Sequence, residues 1–213
     1  VIGVYNLVQN LAVPIWAYVP ANLAVSAGLV ALARRGGATA DDLGLKAKRL
    51  GHGVRLGLIA AAGLSAVIAL AAMVPATRIF FADARVIGHR GWQVVYRALV
   101  RFPLGTALFE EVAFRGVLFG LFRRRLGVAG AAHVTAAAFG AWHLIPTYQA
   151  LQGNPAADLL ALGPGVATGA LITVLSSYGL VWLRLRADSL AAPWVAHAAG
   201  NSLGYLAGVA VGG

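Results

Sequence analysis

The stretch Gln93–Phe122, QVVYRALVRFPLGTALFEEVAFRGVLFGLF, decides the fold. A membrane-spanning helix needs roughly 20 mostly apolar residues, and this run supplies them. Yet its middle holds Glu110, Glu111 and Arg115. A charge at the bilayer centre costs at least ~2.5–3.5 kcal/mol on insertion scales, so such a group normally has both a partner and a role. The two acids are the only glutamates in the chain.

The rest of the sequence shares the bias of this stretch. Of 213 residues, 60% are apolar and 11% charged, and the mean hydropathy is +0.78. Soluble globular domains carry roughly 25% charged residues. The composition therefore excludes an ordinary cytosolic enzyme, a disordered chain and a solenoid of polar repeats. It leaves an all-α, polytopic transmembrane helical bundle. About six spans are predicted: Tyr5 to Ala33, Val54 to Val74, Gln93 to Phe122, Val128 to Leu151, Gly163 to Leu183 and Leu190 to Val211. Residues 1–104 are read as N-terminal transmembrane helices with a basic loop, and residues 105–213 as the core that carries the chemistry. The only methionine is Met73, so further sequence, with further spans, is expected before Val1.

Charge orients the bundle. The net charge is +10. The first, third and fifth loops carry eleven Lys and Arg residues against five on the other side, including Arg97 and Arg101 at the helix edge. By the positive-inside rule the odd loops face the cytoplasm and both ends of this chain lie outside. Basic loops also meet anionic lipid headgroups, so membrane lipids are expected partners. No basic stripe with interleaved aromatics marks a nucleic-acid surface, and no such partner is expected. Phe80 to Trp92 is read as an interfacial segment. The 27 glycines are read mainly as packing residues that let helices approach. Arg outnumbers Lys 15 to 2, which points to a GC-rich prokaryotic source and hence to a prokaryotic cell membrane.

Polar groups recur at depth on three helices. At 1.5 Å rise per residue, Glu110 lies roughly 20 Å from the cytoplasmic loops, His143 roughly 24 Å and Asn201 roughly 18 Å, with Arg115 and His197 at about 12 Å. Glu111 and Arg115 stand four residues apart with the acid first, the favourable order for an ion pair. Glu110 points about 100° away and is the freer acid. His197 and Asn201 share one helix face, as do Phe139 and His143. Phe139 is read as packing, Trp142 and Trp194 as walls of the cavity. His52, His89 and His133 are read as bystanders, the first two in loops.

A carboxylate and a histidine at one depth can activate water, one as general base and the other as its orienting partner. A His–Asn face can donate to a developing oxyanion. An arginine can neutralise an acid or bind a carboxylate. The implied reaction is amide hydrolysis by water inside the membrane. The chain has no cysteine, so no thiol nucleophile or thiolate metal site is available. Two His and one Glu also make a catalytic zinc set, so zinc stays open although H-E-x-x-H is absent. Two further alternatives are a proton relay in a transporter, against which the lack of an internal repeat counts, and a peptide-binding immunity or scaffold protein that does not cut.

Three segments bear a family pattern: Glu110-Glu111-Val112-Ala113-Phe114-Arg115, Phe139-Gly140-Ala141-Trp142-His143 and His197-Ala198-Ala199-Gly200-Asn201. They resemble the EExxxR, FxxxH and HxxxN motifs of the CPBP intramembrane proteases, also called CAAX proteases, bacteriocin-processing enzymes or the Abi family. The likeness covers about Thr106 to Gly208. Asp42-Leu43-Gly44-Leu45 also resembles a short upstream element of the family. The resemblance implies an α-helical membrane endopeptidase. In it, Glu110 and His143 would activate water, His197 and Asn201 would form the oxyanion hole, and Glu111 and Arg115 would support the site. No resident cofactor is expected. The substrate would be a hydrophobic or lipidated peptide.

Overall fold

Prolines and glycines set where the apolar runs bend. The computed structural model describes residues 2–212, leaving aside the side chains of Leu159 and Leu160. Its principal helices are α1 (Ile2–Leu11), α2 (Tyr18–Arg35), α3 (Leu50–Met73), α4 (residues 92–126), α5 (residues 128–142), α6 (Leu144–Gln152), α7 (Leu162–Ala187) and α8 (Ala191–Gly212). Short helical turns join them, and no strand occurs among the described residues. The protein is an all-helical, polytopic membrane bundle. By length and hydropathy alone, three helical segments suffice to cross a membrane: Ala40–Met73, Trp92–Gln152 and Leu162–Ala187. The middle one doubles back, because Gly127 leaves the helix at φ 70° and ψ −174°. Phe114 on α4 then meets both Phe139 and Trp142 on α5, with ring centroids 5.0 Å and 5.6 Å apart.

Two predicted spans are broken. Tyr5 to Ala33 is not one helix: α1 ends at Leu11 and α2 begins at Tyr18. Pro14 is the cause, since proline has no N–H to give and disfavours helix in the residue before it. Val128 to Leu151 is likewise broken at His143, which sits at φ −88° and ψ −1°. Pro146 follows three residues later. In a continuous helix its N–H would have bonded to the carbonyl of Trp142, and its ring clashes with that carbonyl. A third proline, Pro103, is absorbed differently. Helix α4 widens into π turns over Arg97–Ala107 and again over Glu111–Leu118. In the wide turn Pro103 leaves the Ala98 carbonyl without a donor, and α8 supplies one: Ser202 donates to it at 2.7 Å, while the Trp194 indole N–H adds a second bond to the Pro103 carbonyl at 2.8 Å. Trp194 is thus a docking residue and not a wall of the site.

Small residues bring α3 and α8 together. Gly53, Gly57 and Ala61 are the buried residues of α3, one turn apart. A Cβ at Gly57 would lie 2.7 Å from the Val195 Cβ and 2.8 Å from the Ala192 carbonyl oxygen. With Leu64 against Gly200, the two helices run parallel. Between α4, α5 and α2, the core is built from Leu29, Phe109, Phe114, Phe139 and Trp142.

The odd loops meet at one end, as a uniform orientation requires. Lys46 pairs with Asp188 at 2.8 Å and with Asp41 at 3.0 Å. Arg124 donates to the Gly37 carbonyl at 3.1 Å, and buried Arg184 donates to that of Asp41 at 3.0 Å. Hydrogen bonding from Lys46 holds the Asp188 carboxyl below the usual carboxylate range. The Asp42–Leu45 element forms the turn at the centre of this end. Thr39 and Asp42 make a reciprocal helix cap, and Gly44 turns left-handed at φ 71°. At the other end, Ala84 N–H donates to the Gly153 carbonyl at 2.7 Å, and Asn154 to that of Phe80 at 3.1 Å. His52 lies in α3 and not in a loop. His89 and His133 pair with Tyr205 and Tyr178, away from the glutamates.

Candidate active site

The two glutamates sit side by side in α4 and both are buried, Glu110 at 4% exposure and Glu111 at 0%. Because they differ by about 100° around the helix, one carboxylate looks toward Arg115 and the other toward the end of α5. Arg115 is fully buried and donates to Glu111 Oε1 at 3.1 Å. Its guanidinium also lies 3.9 Å over the ring of Phe139, a cation–π contact. The predicted ion pair is therefore present, and Phe139 forms part of its seat. The same ring packs edge-on against His143, centroids 4.4 Å apart, and against His197 at 5.9 Å. The packing reading of Phe139 holds, with the addition that what it packs is the site.

His197 is the junction. Its Nδ1 lies 2.8 Å from Glu111 Oε1, and its Nε2 lies 3.5 Å from Glu110 Oε2. A carboxylate can only accept, so Nδ1–H donates to Glu111. The separate deep and shallow layers obtained by counting residues are one cluster. That count assumed straight, untilted helices; π turns in α4 and the early end of α5 shift the register.

His143 stands where α5 ends. Its Nδ1 lies 2.8 Å from the Phe139 carbonyl, so Nδ1–H is the donor and Nε2 keeps a lone pair. That Nε2 is 3.8 Å from Glu110 Oε2. Glu110 Oε2 itself has no hydrogen-bond partner and is shielded from solvent. The other oxygen, Oε1, accepts from the indole N–H of Trp142 at 3.0 Å. The chain thus holds the carboxylate by one oxygen and aims the second at two imidazole nitrogens. Trp142 was not legible as a contact of Glu110: only its place beside His143 hinted at it.

A cavity of about 570 Å³ opens beside the two imidazoles, between α3, α7 and α8. His143, His197 and Asn201 lie on its wall with apolar residues including Leu64, Leu180 and Leu183. Asn201 stands one turn beyond His197 on α8, and both face the cavity. All six residues named from the sequence are therefore in or beside one site. Among the described residues, no group of three or more His, Asp or Glu is arranged to hold a metal ion.

Comparison with known families gives one match. A family model described as type II CAAX prenyl endopeptidase Rce1-like matches residues 90–203, just over half of the chain and the region that holds all six residues. No curated protein and no solved structure is similar enough to match.

Proposed function

The chain belongs to the Rce1-like family of type II CAAX prenyl endopeptidases, and on that premise we propose that it cuts a hydrophobic, membrane-associated or lipidated peptide by a glutamate-activated water. One observation carries this reading: Glu110 Oε2 is buried, free of any hydrogen bond, and within 3.8 Å of His143 Nε2 and 3.5 Å of His197 Nε2. A carboxylate held by one oxygen and bare on the other is arranged to take a proton.

The chemistry follows from the fixed ring nitrogens. A water between Glu110 and His143 donates one proton to Glu110 Oε2 while His143 Nε2 accepts its second hydrogen and orients it. The water oxygen bonds to the scissile carbonyl carbon, and the carbonyl π pair moves to its oxygen. Asn201 donates to that oxyanion from its amide. His197, anchored at Nδ1 by Glu111, does so through an Nε2–H. The C–N bond then breaks and the proton on Glu110 passes to the leaving nitrogen, so the site returns to its starting charge. Arg115 balances Glu111 throughout. General acid–base catalysis of this type contributes about 10²–10⁴-fold.

The wall of the cavity is mostly apolar, which supports an apolar peptide or lipid-modified substrate over a charged one. A prokaryotic cell membrane and its lipids are the proposed setting, in keeping with the arginine-rich loops. The zinc alternative gains no support from the residue geometry. The test is cleavage of quenched hydrophobic peptides, with and without a lipid anchor, in liposomes. The wild type should cut and a folded Glu110→Ala variant should not. Equal cleavage by that variant overturns the assignment.

A further inference from the structure

The N-terminal helix α1 lies outside the matched region, yet it touches the site. Proline chemistry explains why it is needed. Pro146 cannot supply the N–H that the Trp142 carbonyl would receive in a continuous helix, and a buried carbonyl without a donor is destabilising. Asn6 on α1 supplies the missing donor: its Nδ2 lies 3.0 Å from the Trp142 carbonyl oxygen. Asn6 is 7% exposed and Trp142 4%. Around this bond, Tyr5 packs at a tilt on Phe109 with ring centroids 5.2 Å apart, and Phe109 on Trp142 at 5.4 Å. Tyr5 is tied in turn to α2 by its hydroxyl, which donates to Asn22 Oδ1 at 2.9 Å. The far side of the same tryptophan donates to Glu110 Oε1 at 3.0 Å.

We propose that Asn6 is a positioning residue: it fixes Trp142 at the helix break, and Trp142 fixes the Glu110 carboxylate so that Oε2 faces the two imidazoles. This rests on the reading of Glu110 as the proton acceptor. Without Asn6 the break is free to shift, and the indole that grips Oε1 shifts with it. A misplacement of about 1 Å at a catalytic group can cost about 10²-fold in rate. Asn6 does not line the cavity, so its effect falls on kcat and spares KM.

The experiment compares four variants with wild type in proteoliposomes, on one quenched hydrophobic peptide that the wild type cuts. They are Asn6→Leu, Trp142→Phe, the double variant and Glu110→Gln. Leucine keeps the branched outline of Asn6 and removes the donor. Phenylalanine keeps an aromatic ring and removes the indole N–H, while the backbone carbonyl that accepts from Asn6 is retained. Asn6→Leu is expected to lower kcat about tenfold or more, with KM within about twofold. Trp142→Phe should lower kcat at least as much. The double variant should fall no further than Trp142→Phe alone, because both act through one bond chain. A merely structural role for Asn6 would instead make the two losses multiply, and that result overturns the proposal. So does wild-type kcat in Asn6→Leu. If Glu110→Gln keeps the wild-type rate, the underlying reading fails and the proposal falls with it. If Glu110→Gln is inactive while Asn6→Leu is normal, only the proposal fails.

Discussion

Glutamine at position 111 separates charge from shape in the buried pair. Glu111 and Arg115 are both fully buried, 3.1 Å apart. The amide oxygen of glutamine can accept the same two hydrogen bonds, from Arg115 and from His197, so the geometry survives Glu111→Gln. The charge does not. Removing one partner of a buried pair typically costs about 3–5 kcal/mol, because the other is left uncompensated. For a chain of this size each kcal/mol moves Tm by about 2–4 °C. Glu111→Gln should therefore melt about 6–20 °C below wild type in detergent. Adding Arg115→Met removes the stranded cation and should restore most of the loss, since apolar replacement of a buried pair is often neutral or better. Activity should not return with stability, because the anionic partner of His197 Nδ1 is gone. The assay is differential scanning fluorimetry with peptide cleavage on the same samples. A Glu111→Gln protein that melts with wild type would refute the electrostatic argument. Full activity in the double variant would refute the role given to Glu111.

Three further outcomes are expected. Gly120→Ala should lower Tm by the cost of overpacking, about 1–3 kcal/mol, because its Cβ would lie 2.5 Å from the Asp42 backbone oxygen; circular dichroism melting checks this. Asn201→Ala should lower kcat about 10²–10³-fold with little change in KM, the pattern of a lost oxyanion donor, measured by steady-state cleavage. The last concerns acid stability. The pKa of Asp188 is depressed, chiefly by its hydrogen bond from Lys46, so its stabilisation is full above the ordinary value of about 3.9 and is lost as pH falls through the lower folded value. Wild-type Tm should drop across that window, and Asp188→Asn should drop less; equal slopes in thermal melts against pH would contradict it.

Much of the architecture could be read from hydropathy. The runs that became α3 and α7 needed only length and composition, and the glutamate pair marked the helix that carries the site. The errors lie where proline chemistry competes with an apolar run. Pro14 splits the first predicted span, and Pro146 ends α5 at His143. Hydropathy treats a proline as one more residue, whereas the backbone loses a donor and gains a clash. The site residues were legible because charges in lipid are rare and spacing shows which share a helix face. Their contacts were not. Whether His197 meets one acid or both depends on tilt and on π turns in α4, and neither follows from a residue count. The grip of Trp142 on Glu110 depends on where an indole N–H points, which only packing decides. Asn6 lay farthest from view: nothing in α1 marks it until the orphaned carbonyl of Trp142 is in place.

The central claim is that Glu110 activates water without a metal. The most direct test is kcat/KM for metal-stripped wild type and Glu110→Gln on one hydrophobic peptide in proteoliposomes, with and without added zinc. Stripped wild type should keep its rate, zinc should add nothing, and Glu110→Gln should fall by about 10²–10⁴-fold. Loss of wild-type activity on stripping, restored by zinc, would contradict it.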